Sequence, residues 1–164
     1  MTPEQEKHVE MWLAALRSGE FRQGEGALCY NNRYCCLGVA AELACGPDGS
    51  AELAALRYES EEPTKPIGYD DYTEGLSEPF QDWFGLQSSS GAFRLTDESR
   101  ALIRAALAAP AAHTEVAALN ELCKNNSRTS LAELNDYGLP FPVIADVIAA
   151  RPPELFMDED EENE

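Results

Sequence analysis

Bases are scarce in this chain: 12 lysines and arginines stand against 30 aspartates and glutamates, a formal net charge of -18 over 164 residues. Affinity for a nucleic-acid backbone comes chiefly from cations that displace counterions, so this balance argues against DNA or RNA as a partner. Long apolar runs are missing too. No basic leader opens into an apolar stretch, and nothing approaches the ~20 residues of a spanning helix, so no membrane partner is expected and the chain reads as cytosolic. Histidine occurs only at His8 and His113, and no two cysteines have the C-x2-C spacing of a zinc site; neither a metal nor another cofactor is expected. Five cysteines, an odd number without a secretory leader, read as reduced thiols. The Gln23-Gly24-Glu25-Gly26 segment lacks the full glycine pattern of a phosphate loop and reads as a turn into the next element.

What is present describes an α+β protein, mainly helical, with a small hairpin or sheet. Its length suits one domain, expected over 1–151. Thr2-Pro3-Glu4-Gln5 has the form of a capping box with proline at the first helical position. Val9, Trp12, Leu13 and Leu16 then repeat on one helical face up to Ser18, where Gly19 offers a left-handed stop. Asn31-Asn32 sits between two short β-prone runs and suits a hairpin turn. Leu37 to Ala44 is apolar nearly all round, as a buried helix would be. Residues 46–78 turn to Pro, Gly, Ser and acids and read as an exposed insertion, with a short helix at 51–57. A short helix through Trp83, a strand at 91–95, a helix from Thr96 to Ala109, another from Thr114 to Cys123 and a polar break at 124–128 follow. Ser130-Leu131-Ala132-Glu133 has capping-box form, and Phe141, Ile144, Ala145 and Ile148 mark a last helix. Residues 152–164 carry seven acids and no base after Arg151, so an acidic tail with a disordered end is expected.

Trp12 with Leu16-Arg17-Ser18-Gly19, the Gln23-Gly24-x-Gly26-x-Leu28 run, Tyr34-Cys35-Cys36-Leu37-Gly38-Val39 and Leu134-Asn135-Asp136-x-Gly138-x-x-Phe141-x-x-Ile144-Ala145-Asp146-x-Ile148 together resemble a family of small, largely uncharacterised phage and prophage proteins. The resemblance covers roughly 9–45 and 131–149. It implies an accessory protein acting in the bacterial cytoplasm and supplies no catalytic residue.

Cys35 and Cys36 stand at a strand-to-helix junction, where a helix dipole lowers a thiol pKa, so they are the candidates if the chain is an enzyme. Such a nucleophile also needs a base, neither histidine lies in a motif, and unpaired cysteine is among the most buried residue types. Packing is the favoured role, and no catalytic residue is assigned. Between Arg17 and Cys36 three arginines meet only two acids, against the trend of the chain. Arg17, Gln23, Arg33 and Tyr34, joined by Asn135 and Asp136 from the C-terminal part, are therefore the candidate site for an anionic small molecule. The bland alternatives are surface ion pairs for the arginines and local backbone bonds for Asn135 and Asp136. Three functions remain open: a non-enzymatic protein that binds an anionic, nucleotide-like ligand and sequesters a host signal; an acidic inhibitor of a host protein; and a cysteine-dependent hydrolase. The oligomeric state is left open.

Overall fold

The computed structural model describes residues 1–158. Helix α1 (Pro3–Ser18) has the expected box: Gln5 N donates to Thr2 Oγ1, and Thr2 N donates to Gln5 Oε1. Gly19 ends it at φ 76°. Strand β1 (Arg22–Gln23) follows where sequence reasoning expected only a turn. The hairpin β2 (Cys29–Tyr30) and β3 (Arg33–Tyr34) turns through Asn31 and Asn32, both at positive φ, as a tight two-residue turn requires. β1 pairs parallel to β3 and β2 antiparallel to it, giving a three-stranded sheet in the order β1-β3-β2.

Helix α2 (Cys36–Cys45) starts from this sheet and is buried on most sides. A Cβ on Gly38 would lie 1.6 Å from the Leu28 carbonyl oxygen, so only glycine lets the first turn of α2 press against the backbone that leads into β2. Residues 46–78, expected as an exposed insertion, are exposed over much of their length but also anchored in the core. They form α3 (Ala51–Ala54), β4 (Arg57–Tyr58) and β5 (Gly68–Tyr69), and Leu53, Tyr69 and Leu76 are buried. The segment is tied to α2 through Glu42, whose Oε2 accepts from the Tyr69 hydroxyl at 2.7 Å and from Arg57 Nε at 3.1 Å. Much of its remaining length, including most of 58–65 and 71–74, is exposed.

Next come α4 (Glu78–Phe84), β6 (Ala92–Arg94), α5 (Asp97–Leu107), α6 (Val116–Asn125), β7 (Arg128–Ser130), α7 (Leu131–Asp136) and α8 (Phe141–Ala149). β7 pairs antiparallel to β6 and occupies the end of the expected polar break. α6 starts two residues later than expected, and the Thr114 hydroxyl before it donates to Gly138 O at 3.0 Å. Ser130 caps α7 through Glu133 N, but the Glu133 carboxylate accepts from Thr129 Oγ1 rather than closing the box. α1 packs on α8, α2 and α4. Val9, Trp12 and Leu16 meet the apolar face of α8 there, and each such fully buried large side chain contributes ~1.5–3 kcal/mol. Trp12 is core, as expected; Trp83 is half-buried and stacks on His8 with ring centres 3.7 Å apart.

The tail also begins later than Pro152. Residues 152–157 dock: Pro152 and Leu155 are buried, Phe156 bridges to Leu86, and Arg151 lies over the Phe156 ring. Apolar side chains within an acidic stretch give it something to bury. The disorder expected of the tail's end concerns 159–164, outside the described residues.

Candidate functional site

The two-residue period of a strand sorts the β1-β3-β2 sheet into two rows. Arg22, Arg33 and Tyr30 stand in register across it and are exposed; Gln23, Tyr34 and Cys29 form the other row, half-buried or buried. On that inner side the Tyr34 ring meets Phe21 edge-on at 5.2 Å. Burial, with the neighbouring Cys29 thiol, pushes its phenol up to about 12.

Asn135 joins the sheet to α7. It is 1% exposed, its Oδ1 accepts from Cys36 N at 3.1 Å and from Gln23 Nε2 at 3.2 Å, and its Nδ2 donates to Gly24 O at 2.7 Å. Gln23 Nε2 also donates to Leu139 O at 2.8 Å. One buried amide thus satisfies three groups on two stretches of chain, Gln23-Gly24 and the start of α2. Asp136 Oδ1 accepts from Gly26 N at 3.0 Å, holding the loop between β1 and β2. The bland reading of these two residues foresaw bonds to their own neighbourhood; these partners lie 99 to 112 residues away.

Between the sheet and the turn after α7 lies a cleft of about 580 Å³, within the ~300–1,000 Å³ usual for small-molecule sites. Gln23, Gly24, Glu25, Tyr30 and Arg33 line one side, and Ala111, His113, Glu115, Asn135, Gly138 and Pro140 the other. Glycine is required on both. A Cβ on Gly24 would come within 2.8 Å of Arg33 Cβ, and at Gly138, with φ 73°, within 2.3 Å of His113 O. Glu115 N donates to Tyr137 O at 2.8 Å and clamps the far wall. Arg33 gives Nη1 to Gln23 O at 3.2 Å, which lays the guanidinium back over β1.

Of the residues named from sequence, Gln23, Arg33 and Asn135 come together in this cleft. Asp136 lies beside it, committed to Gly26. Tyr34 points to the inner side of the sheet, and Arg17 pairs on the surface with Asp146 at 2.8 Å, away from the cleft. Sequence reasoning missed Tyr30, His113 and Glu115. Tyr30 was legible in principle, directly before the Asn31-Asn32 turn and paired with Arg33 across it; the other two sit in a link whose position only the tertiary fold sets.

Cys35 is the N-cap of α2, where its sulfur accepts from Gly38 N at 3.3 Å. The lowering effect of the Gly38 and Leu37 N–H groups is outweighed by burial, which pushes the thiol up to about 11. Cys36 is fully buried, donates to Leu131 O at 3.5 Å, and is raised well above the ordinary thiol value by burial. Both stay protonated near neutral pH, and among the described residues neither bonds a histidine: His8 Nδ1 donates to Trp83 O at 2.7 Å. This is the chemistry of packing, not of a poised nucleophile.

Among the described residues, no cluster of three or more His, Cys, Asp or Glu is placed to hold a metal ion, and no helix is long and apolar enough to cross a membrane. Residues 5–152 match the model of a family described as Domain of unknown function (DUF8296). No curated protein and no solved structure matches the chain.

Proposed function

We propose that this chain, which belongs to the DUF8296 family, is a phage or prophage accessory protein of the bacterial cytoplasm that binds an anionic, nucleotide-like small molecule in the cleft and sequesters it without chemistry of its own. The observation that carries the reading is the convergence of Gln23 and Arg33 with Asn135, across 112 residues of sequence between Gln23 and Asn135, on one cleft of small-molecule size. Asn135 and the Gln23 amide are spent on holding the walls together, which leaves Arg33 as the anchor for negative charge. Tyr30 offers a ring face for a planar group. Glu25 and Glu115 line the same cleft, where carboxylates suit amino or hydroxyl hydrogens rather than a second anionic group. A ligand with an anionic end and a donor-bearing ring meets both demands.

A second reading, an acidic inhibitor that occupies a basic host protein, is favoured by Tyr58 and Tyr72. They are 61% and 51% exposed in a stretch that also holds Glu59, Glu61, Glu62, Asp70, Asp71 and Glu74. Tyrosine is enriched at protein interfaces.

Native mass spectrometry after incubation with a bacterial small-molecule extract tests the first reading. The expected result is one retained small molecule, lost in Arg33→Ala. A chain that emerges bare, or Arg33→Ala retaining the same mass, overturns it.

A further inference from the structure

Two sheets of this protein set arginines directly opposite one another, and they treat the repulsion differently. On β6 and β7, Arg94 faces Arg128 in register. Like charges at directly opposed positions are destabilising, and the chain answers from within. Glu154 places Oε1 2.8 Å from Arg94 Nη2 and Oε2 2.6 Å from Arg128 Nη2, the second as an ion contact rather than a directed hydrogen bond. It does so from φ 71°, a left-handed conformation unfavourable for a residue with a Cβ.

On β1 and β3, Arg22 faces Arg33 in register, both exposed. Among the described residues no carboxylate forms an ion pair with either. The protein partner of Arg33 is a backbone carbonyl, Gln23 O. In a chain with 30 acids to 12 bases, an arginine doublet that is exposed and has neither an acid nor more than one backbone acceptor stands out. Elsewhere Arg17, Arg57, Arg94, Arg128 and Arg151 each have a carboxylate, and Arg100 and Arg104 give their hydrogens to the backbone carbonyls of Leu95, Cys123 and Asn126.

We infer that Arg22 and Arg33 form the seat for a phosphate group of the ligand, the counterpart of Glu154 on the other sheet. Two guanidiniums side by side call for a charge close to -2. A phosphate monoester or terminal pyrophosphate supplies it with three acceptor oxygens, whereas a carboxylate supplies -1. Tyr30 stands next to Arg33 in the same row and is 39% exposed, so a planar ring attached to the phosphate has a face to lie on about 5 Å away, one strand over. The ligand class is therefore a phosphorylated compound carrying a planar ring, with its phosphate at the edge of the cleft. This inference rests on the cleft being the ligand site, and adds Arg22, which the cleft itself does not include.

The test is calorimetric titration of the full chain with inorganic pyrophosphate, and with succinate as the carboxylate counterpart, for wild type, Arg22→Gln, Arg33→Gln and Arg94→Gln. Pyrophosphate should bind wild type and Arg94→Gln alike, and Arg22→Gln and Arg33→Gln should each weaken it by about tenfold or more, the loss of a charge-assisted contact. Melting temperatures separate seat from scaffold. Arg22→Gln should keep or raise that of the free chain, since it relieves repulsion, while Arg94→Gln should lower it by removing a partner of Glu154. If Arg33→Gln weakens binding and Arg22→Gln does not, the paired seat falls and the cleft anchored by Arg33 stands. Equal affinity for succinate overturns the phosphate assignment. If Arg94→Gln weakens binding as much as Arg22→Gln, general charge explains the effect and the seat falls. If wild type binds neither probe, the seat is overturned, and retention of an extract molecule still judges the cleft separately.

Discussion

On the inner face of the β1-β3-β2 sheet, Gln23 gives its amide hydrogens to Asn135 and Leu139, Asn135 reaches on to Cys36 and Gly24, and Tyr34 is packed against Phe21. On the outer face, one residue away along each strand, Arg22, Arg33 and Tyr30 leave donors and ring surface to solvent. The inner row uses its polar capacity to hold two distant parts of the chain together. The outer row keeps its capacity for something else. Substitutions should therefore divide cleanly: those on the inner side lower stability, and those on the outer side alter binding in a chain that still folds.

The most severe break of the inner side is Gly38→Ala. Its Cβ would stand 1.6 Å from Leu28 O, a backbone atom with no freedom to yield. A loss above ~4 kcal/mol is expected, seen as the absence of a cooperative urea transition; a normal midpoint would mean that α2 does not press on Leu28 as described. Asn135→Ala comes next. It leaves Cys36 N and Gly24 O without their side-chain partner in a buried place, a cost of about 3 kcal/mol, readable as a lowered urea midpoint with an unchanged slope.

Arg33→Ala tests the other side. The midpoint should stay where it is, while affinity for the retained ligand falls by about 1.5–3 kcal/mol, the worth of a hydrogen bond to a charged group. An equal loss of stability would merge the two faces into one scaffold and remove the reason for assigning the outer row to a ligand.

Cys35→Ala sharpens the inner side by a smaller amount, about 1–2 kcal/mol of lost packing with binding retained. Its distinguishing mark is pH. Folding raises this thiol from an ordinary value near 9 to about 11. The folded state thus holds the proton more tightly than the unfolded chain, and this stability is fully present below pH 9 and lost as pH rises through 11. Urea midpoints should be level up to about pH 9 and fall beyond it, less steeply in Cys35→Ala. Cys45, also raised to about 11, and Tyr34, raised to about 12, keep the slope from vanishing. A midpoint rising above pH 9 would contradict the buried thiol.

Local signals in the sequence carried much of the fold. The Thr2 box, the Asn31-Asn32 turn and the helical repeat of α8 each rest on residues within a few positions of one another, and the structure has them. Strands β1 and β7 were hidden because a two-residue or three-residue strand has no period to read; each exists only through its partner, β3 or β6. The 46–78 segment misled for a related reason. Its composition is that of a loop, and the buried Tyr69 of β5 bonds Glu42 of α2, a partner outside the segment. Within the site, Gln23, Arg33 and Asn135 were legible as polar residues that break the local trend. Arg17 and Tyr34 belonged to the same stretch but face elsewhere, which helix and strand phase decide only once the packing is fixed.

The smallest effect should come from the acids at the end of the chain. Truncation after Met157 removes six carboxylates, Asp158 to Glu162 and Glu164, and no base. It spares the docked residues Leu155 and Phe156, so the melting temperature should not change. For a phosphate seated at Arg22 and Arg33 the removed charges act only through the general field. At 0.15 M salt that field is screened over about 8 Å, so affinity for pyrophosphate should rise by less than about twofold, and the difference should widen as salt is lowered. Calorimetry at two ionic strengths reads both. An acidic inhibitor of a host protein makes the opposite forecast, with loss of the partner on truncation and indifference to Arg33→Ala. Truncation that abolishes binding while Arg33→Ala preserves it would move recognition from the outer row of the sheet to the acidic surface.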